Sequence, residues 1–437
     1  MEERAGRPWQ SGLLQGREGT GMGTASQLCK RIEAGDAAVR AFVGNGETDS
    51  ARRRRVQAEE GVVRERWGSP AQRPPLFCVP VAVKDIVRVD GLPTRAGSRL
   101  PADVFAGAQA SAVDRLRSAG AIVAGKTVTA EFAMSAPGPT RNPHDLEHTP
   151  GGSSSGSAAA VAAGIVPLAI GTQTVGSIIR PAAYCGVVGF KPTFGRIPND
   201  GVVPNAPSLD TLGVLADGLA MAEAAASVLC DGWSAVGVVA APVLGVPDGP
   251  YLQRSDADGL AAFEKQVRVL VDAGFTVRRV PMLDDFDNLM SGLRAVNRYE
   301  AARSHAEWFP RYGHLYQPQS VATVQQGHAI TREEYTMGLK QQEVLRARLG
   351  HDTNDAGVDL WIAPSATGPA PRGLDSTGSP VMCAPWSYAG WPALSLPAGR
   401  NPQGLPFGLQ CVGPAHSDEL LIKWAEPIAA ALTGRLG

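Results

Sequence analysis

The sequence predicts an α/β domain layered around a central β-sheet. Two observations lead there. Apolar segments of helical period alternate with short, β-branched runs along most of the chain, and the composition is globular, with 44% hydrophobic and 19% charged residues. The 437 residues leave room for a sizeable core. The 51 glycines and 34 prolines fall short of the share expected of low-complexity disorder.

Residues 1–22 carry acids, Arg, Gly and Gln without an apolar h-region, so they read as a disordered extension rather than a secretory signal, with Met22 a candidate alternative start. Residues 23–437 are expected to form one domain. Within it, 26–67 reads as a helical arm with apolar Leu28, Ile32 and Val39. Its run Arg52-Arg-Arg-Arg55 is followed by Glu59, Glu60 and Glu65 at helical spacings, which marks a solvated helix face. The run from Phe77 is a buried strand ending near Lys84. A helix at 111–118 and a short apolar strand at 121–124 follow. After a Pro/Gly loop at 136–150, the small-residue segment 157–163 reads as a helix packed on all sides. Leu260, Phe263, Val267, Leu270 and Val271 mark a helix, and 276–280 marks a strand. Residues 284–350 read as mostly helical, with Tyr299, Trp308 and Tyr316 expected in a pocket wall. Strands are expected at 359–364, 393–397 and 406–412, and a capped helix near Ser417. No long linker or internal repeat interrupts the chain.

Lys and Arg number 41 against 42 Asp and Glu, a net charge of −1. Such a balance gives no global field for nucleic acid or an anionic membrane, so neither is expected as a partner. Six scattered cysteines form no C-x-x-C pair, which favours reduced thiols in a cytoplasm over disulfides or zinc. The longest apolar stretches, 158–171 and 235–247, are too short to span a bilayer.

Three motifs mislead. Gly120-Ala-Ile-Val-Ala-Gly-Lys-Thr127 spells a phosphate loop, yet its middle is the apolar strand itself rather than an exposed turn, and Lys126 reads as a strand-end residue near a pocket rim. Gly152-Ser-Ser-Ser-Gly156 fits the G-x-S-x-G nucleophile elbow centred on Ser154, but His-Thr-Pro-Gly precedes it where an apolar strand is needed, and His416 is the sole late histidine. His144 and His148 have the spacing of a helical metal pair, but they lie between Pro143 and Pro150, where loop hydrogen bonding is expected.

The segment 151–181 is rich in serine and glycine at both ends. Glycines let backbone N–H groups approach a reacting oxygen, and serine hydroxyls act as nucleophile or proton relay. Taken alone, it fits a catalytic site or a tight structural loop.

From about Ser26 onward the chain resembles the amidase signature family of Ser–cisSer–Lys amidohydrolases. The stretches that carry the resemblance are Val79-Pro-Val-Ala-Val-Lys84-Asp-Ile, Gly91-Leu-Pro-Thr, Ala119-Gly-Ala-Ile-Val-Ala-Gly-Lys-Thr, Gly186-Val-Val-Gly-Phe-Lys-Pro-Thr, Ser208-Leu-Asp-Thr and Leu405-Pro-Phe-Gly-Leu-Gln, with the signature core at about 77–200. Gly171-Thr-Gln-Thr-Val-Gly-Ser-Ile-Ile-Arg-Pro is most similar to the malonamidase-like branch. The resemblance implies a mixed central sheet covered by helices on both faces. It also implies amide hydrolysis through an acyl-serine without metal or cofactor.

Carried over, the resemblance makes Ser177 the nucleophile, Ser153 the serine after a cis peptide and Lys84 the base. The strand before Lys84 supplies the desolvation a neutral lysine requires. The N–H groups of Thr174, Val175, Gly176 and Ser177 are implied as the oxyanion hole. Val175 stands where a small residue is usual, which is tolerable with a negative φ, and Gln173 replaces the usual aspartate. Arg180, three residues after Ser177 rather than two, is implied to hold a substrate carboxylate. With Thr172 and Gln173 it completes the substrate-binding candidates. Cys185 and Cys383 lack a base in sequence and read as buried thiols. The resemblance leads to a small amide of the malonamate type as substrate and a homodimer as the assembly. The ammonia-producing subunit of a tRNA-dependent amidotransferase and a non-catalytic amide-binding protein are the alternatives.

Overall fold

The computed structural model describes residues 24–44 and 46–436; the expected extension at 1–22 lies outside them. In the first part of the chain the elements are α1 (Thr24–Val39), α2 (Asp49–Arg66), β1 (Pro80–Lys84), α3 (Ser111–Ser118), β2 (Ile122–Thr127), α4 (Ser155–Ala162), β3 (Leu168–Gln173), α5 (Ile179–Cys185), β4 (Val188–Lys191), β5 (Thr211–Ala216) and α6 (Leu219–Leu229). There follow β6 (Leu244–Asp248), α7 (Ala257–Asp272), β7 (Val277–Pro281), α8 (Phe286–Ser304), α9 (Phe309–Tyr312), α10 (Pro318–Ala329), α11 (Arg332–Ala356), β8 (Leu360–Pro364), α12 (Ala384–Ala389), β9 (Ala393–Arg400), β10 (Pro406–Val412) and α13 (Asp418–Leu436).

The strands form one ten-stranded sheet in the order β2-β1-β3-β5-β4-β9-β10-β8-β6-β7. It is mixed. β1 runs parallel to β2 and β3, β3, β5, β4, β9, β10 and β8 alternate antiparallel, and β6 is parallel to β8 and β7. Helices α3, α6, α13 and α7 touch in succession as one layer, while α4 and α5 pack on each other and on β3 and β9. The α/β class with a helix-covered mixed sheet therefore stands. Every residue of β1, β2 and β3 is buried, and for that reason they read as near-continuous apolar runs rather than alternating ones.

The helical arm is two helices, because Asp36 accepts from the N–H groups of Ala41 and Phe42 and turns the chain after α1. The small residues of α4 have a packing cause. A Cβ on Gly156 would sit 2.1 Å from Ala41 O and 2.5 Å from Val128 N, so only glycine lets this helix lie against those two backbones. The phosphate-loop lookalike is β2 itself. Lys126 is fully buried rather than at a rim, paired with Asp85 at 2.8 Å and donating to Thr94 Oγ1 at 2.9 Å, a geometry that leaves no phosphate cradle. No described helix is long and apolar enough to cross a membrane.

Candidate functional site

β1 delivers Lys84 to the end of a strand flanked on both sides by β2 and β3, and the side chain is wholly buried. Its Nζ lies 2.7 Å from Ser153 Oγ, 2.6 Å from Thr172 Oγ1 and 3.4 Å from Thr172 O. A neutral amine has two hydrogens and one lone pair. The two threonine oxygens accept the hydrogens, which leaves the lone pair for the Ser153 hydroxyl. Burial pushes the Lys84 ammonium down to about 7 against an opposing pull from the Asp210 carboxylate.

Ser153 follows a cis peptide bond from Gly152. Its carbonyl accepts from Ala130 N–H, and the Ser177 carbonyl accepts from Ser154 N–H, which draws the two serine segments together. Ser153 is completely buried, whereas Ser177 keeps 8% of its surface and is the serine with access to a reactant. The neighbouring hydroxyls are occupied. Ser154 bridges to Thr172 O and N, Ser155 donates to Gly151 O, and Ser157 reaches Ile170 O and Thr127. The elbow reading of Ser154 therefore has no free nucleophile.

Between β3 and α5 the turn 174–177 carries N–H groups to which no hydrogen bond within the described residues is assigned at Val175, Gly176 or Ser177. Val175 adopts no positive φ, so its side chain does not strain the turn. A Cβ on Gly176 would lie 2.9 Å from Pro380 Cβ and 3.3 Å from Cys383 Sγ, and glycine is what admits the 380–383 segment there. Gln173 braces the turn from within. Its Oε1 accepts from Ile178 and Ile179 N–H at 2.8 and 3.0 Å, and its Nε2 donates to Ser387 Oγ, which in turn donates to Val175 O at 2.6 Å.

The three substrate-binding candidates are thus engaged by the protein. Thr172 holds Lys84 and Gln173 holds the turn. Arg180 donates to Gly378 O at 2.7 Å, to Thr377 Oγ1 at 3.1 Å and, in a short bond, to Gly152 O. Its guanidinium therefore grips the carbonyl of the residue before Ser153. Sequence reasoning missed two residues. Asp210 accepts from Thr174 Oγ1 at 2.6 Å and from Asn205 and Ala206 N–H, and burial raises its carboxyl to about 6. The Ser208-Leu-Asp-Thr stretch was its signal; Ser387 had none.

The remaining candidates have partners of their own. His144 meets Cys185 O at 2.8 Å and His148 meets Asp145 at 3.1 Å, as loop residues do. Cys185 and Cys383 are buried, and burial pushes both thiols up, Cys383 to about 12. Tyr316 bonds His305 and packs 4.5 Å from Phe132, Trp308 abuts Phe105, and Tyr299 stacks on Tyr335. A cavity of about 470 Å³ beside Lys265, Arg400, Phe407 and Leu436 shares no lining residue with the lysine–serine cluster.

Residues 24–422 match the amidase family model. Among curated proteins the chain is 32% identical to a glutamyl-tRNA(Gln) amidotransferase subunit from Salinibacter ruber, over 91% of this chain and 94% of that one. It is also similar to a solved amidase at 31% identity and a TM-score of 0.84, covering 95% and 97% of the two chains. A third likeness is to the peptide amidase of Stenotrophomonas maltophilia, 26% identical with a TM-score of 0.76 over 95% and 94%.

Proposed function

The chain belongs to the amidase family, and from that premise we propose that it cleaves an amide C–N bond through an acyl-enzyme on Ser177. The observation that carries the proposal is the 2.7 Å contact between buried Lys84 and Ser153 beside partly accessible Ser177. Neutral Lys84 takes the Ser153 proton while Ser153 takes that of Ser177, and Ser177 Oγ attacks the carbonyl carbon. The N–H groups of turn 174–177 stabilise the oxyanion. The proton returns along the same relay to the leaving nitrogen, the C–N bond breaks, and water then opens the ester by the reverse route.

The substrate in this reading is a small amide. Because Arg180 is bound to Gly152, Thr377 and Gly378, a carboxylate on the substrate is not required by it. A second reading, the glutamine-hydrolysing component of an amidotransferase, is favoured by the name that the 32%-identical relative carries. Ammonia release from glutamine, malonamate, malonamide and neutral aliphatic, aryl and peptide amides, with Ser177→Ala as blank, tests both. Turnover of small amides by the chain alone supports the first reading. Turnover of glutamine that rises with added partner proteins supports the second, and no release from any amide defeats the mechanism.

A further inference from the structure

The loop 205–210 reaches the site from one side and is held from the other. Opposite Gln173 in the sheet stands Thr211, so the chain just before it places Asp210 against Thr174 at the start of the oxyanion turn. Asp210 is also the charged group that acts on Lys84, and Lys84 acts on it in return.

The loop's other grip comes from α8. Glu300 accepts from Ser208 N–H at 2.9 Å through Oε2, and from Ser208 O–H in a short bond through Oε1. The Tyr335 hydroxyl of α11 donates to the same Oε1 at 2.8 Å. One turn further along α8, the Ser304 hydroxyl donates to Asn205 O at 3.1 Å. Behind this clamp Tyr299 stacks on Tyr335 at 4.2 Å, and the Arg303 guanidinium covers Tyr299. Glu300 is buried, and three donors converge on its two oxygens.

We infer that Glu300 is a positioning residue for catalysis: by clamping Ser208 it fixes the loop that sets Asp210 against Thr174 and near Lys84. The inference rests on the lysine–serine mechanism proposed above. Glu300 touches neither the reacting atoms nor the triad. It acts through a carboxylate two residues further along the loop. Loss of the clamp lets Asp210 move, which loosens Thr174 and removes the anion that favours the charged form of Lys84.

The sign of the pH effect follows. Without the Asp210 anion nearby, Lys84 becomes neutral at lower pH, so the acid limb of kcat/KM moves to lower pH. Asp210→Asn calibrates the size of that move. Glu300→Ala and Glu300→Gln are expected to shift the limb in the same direction and to lower kcat by about tenfold or more, with KM within about threefold. Thr353→Ala, which removes the hydroxyl that bonds buried Trp361, serves as the stability control and leaves the limb in place. The substrate is whichever amide the wild type cleaves in the panel. Glu300 variants that keep the wild-type limb and kcat overturn the inference while leaving the mechanism intact. If Glu300→Ala does not fold, Ser208→Ala decides by the same limb. A wild type that cleaves no amide defeats both the mechanism and the inference.

Discussion

Lys84 shows at the scale of a single residue how strand burial suits a lysine to the proposed role of base. With its ammonium pushed down to about 7, roughly half of the side chain is neutral at neutral pH, so activity should rise with pH through about 7 as the neutral form fills. Lys84→Ala should abolish this limb along with turnover, by about a thousandfold or more, while circular dichroism stays native. Activity persisting at neutral pH would assign the base elsewhere. Arg180 gives a contrasting case. Its bonds to Gly152, Thr377 and Gly378 predict that Arg180→Ala costs about 2–3 kcal/mol in stability and lowers kcat for neutral and anionic amides alike. A KM rise confined to anionic amides would instead make it a substrate ligand. The meeting of Lys84 with Ser153 was legible only through the family resemblance, whose stretches run in order, because the serine- and glycine-rich segment alone fits a structural loop as well. The contacts of Thr172 with Lys84, of Gln173 with Ser387 and of Asp210 with Thr174 were not legible, since each joins segments far apart in the chain that no local spacing encodes.

Among the elements, α4 ties sequence to packing most directly. Its residues are small because Ala41 and Val128 approach its backbone, and Gly156→Ala should destabilise the protein by about 1–3 kcal/mol, read as a lower denaturant midpoint. At the turn between β3 and α5, Gly176→Ala meets Pro380 and should lower kcat by about tenfold with little change in the melt, because the N–H groups proposed as oxyanion donors shift with it. An unchanged kcat would separate the turn from catalysis. The sequence revealed β1, β2, β7 and the last three strands, each bounded by turn residues or paired with a periodic helix. It did not reveal β3, β4, β5 or β6. These runs, such as Leu168-Ala-Ile-Gly-Thr-Gln173, are apolar on both faces and lie among glycines, so periodicity cannot separate them from the loops they join. The arm at 26–67 was read as helical throughout because its break is made by Asp36, whose carboxylate ends α1 through a side-chain contact.

For the whole molecule, buried ionisable groups of two kinds oppose each other above neutral pH. Burial pushes Lys84 and Lys191 down to about 7, whereas an unfolded lysine titrates near ~10.4. From pH ~7 upward the unfolded chain therefore holds lysine protons that the folded chain has released, and stability rises with pH by on the order of 1 kcal/mol per unit for each lysine. Buried thiols have the opposite sign. Cys78 is raised to about 11 and Cys383 and Cys411 to about 12, and Cys29, Cys185 and Cys230 are raised as well. Once pH approaches the unfolded thiol value near ~8.5, the unfolded chain loses protons that the folded chain keeps, and stability falls. Asp210, raised to about 6, has largely finished titrating before this window. Lys126, which burial also pushes down, adds to the rise, but six thiols outweigh three lysines once all are titrating, so the melting temperature should climb from pH ~7, pass through a maximum between about 8 and 9, and then decline. Lys191→Met, outside the lysine–serine cluster, should remove a large part of the climb and leave the decline. A melting temperature that falls steadily from pH ~7 would mean that the buried lysines stay charged in the folded protein, Lys84 among them, which would remove the base from the proposed relay.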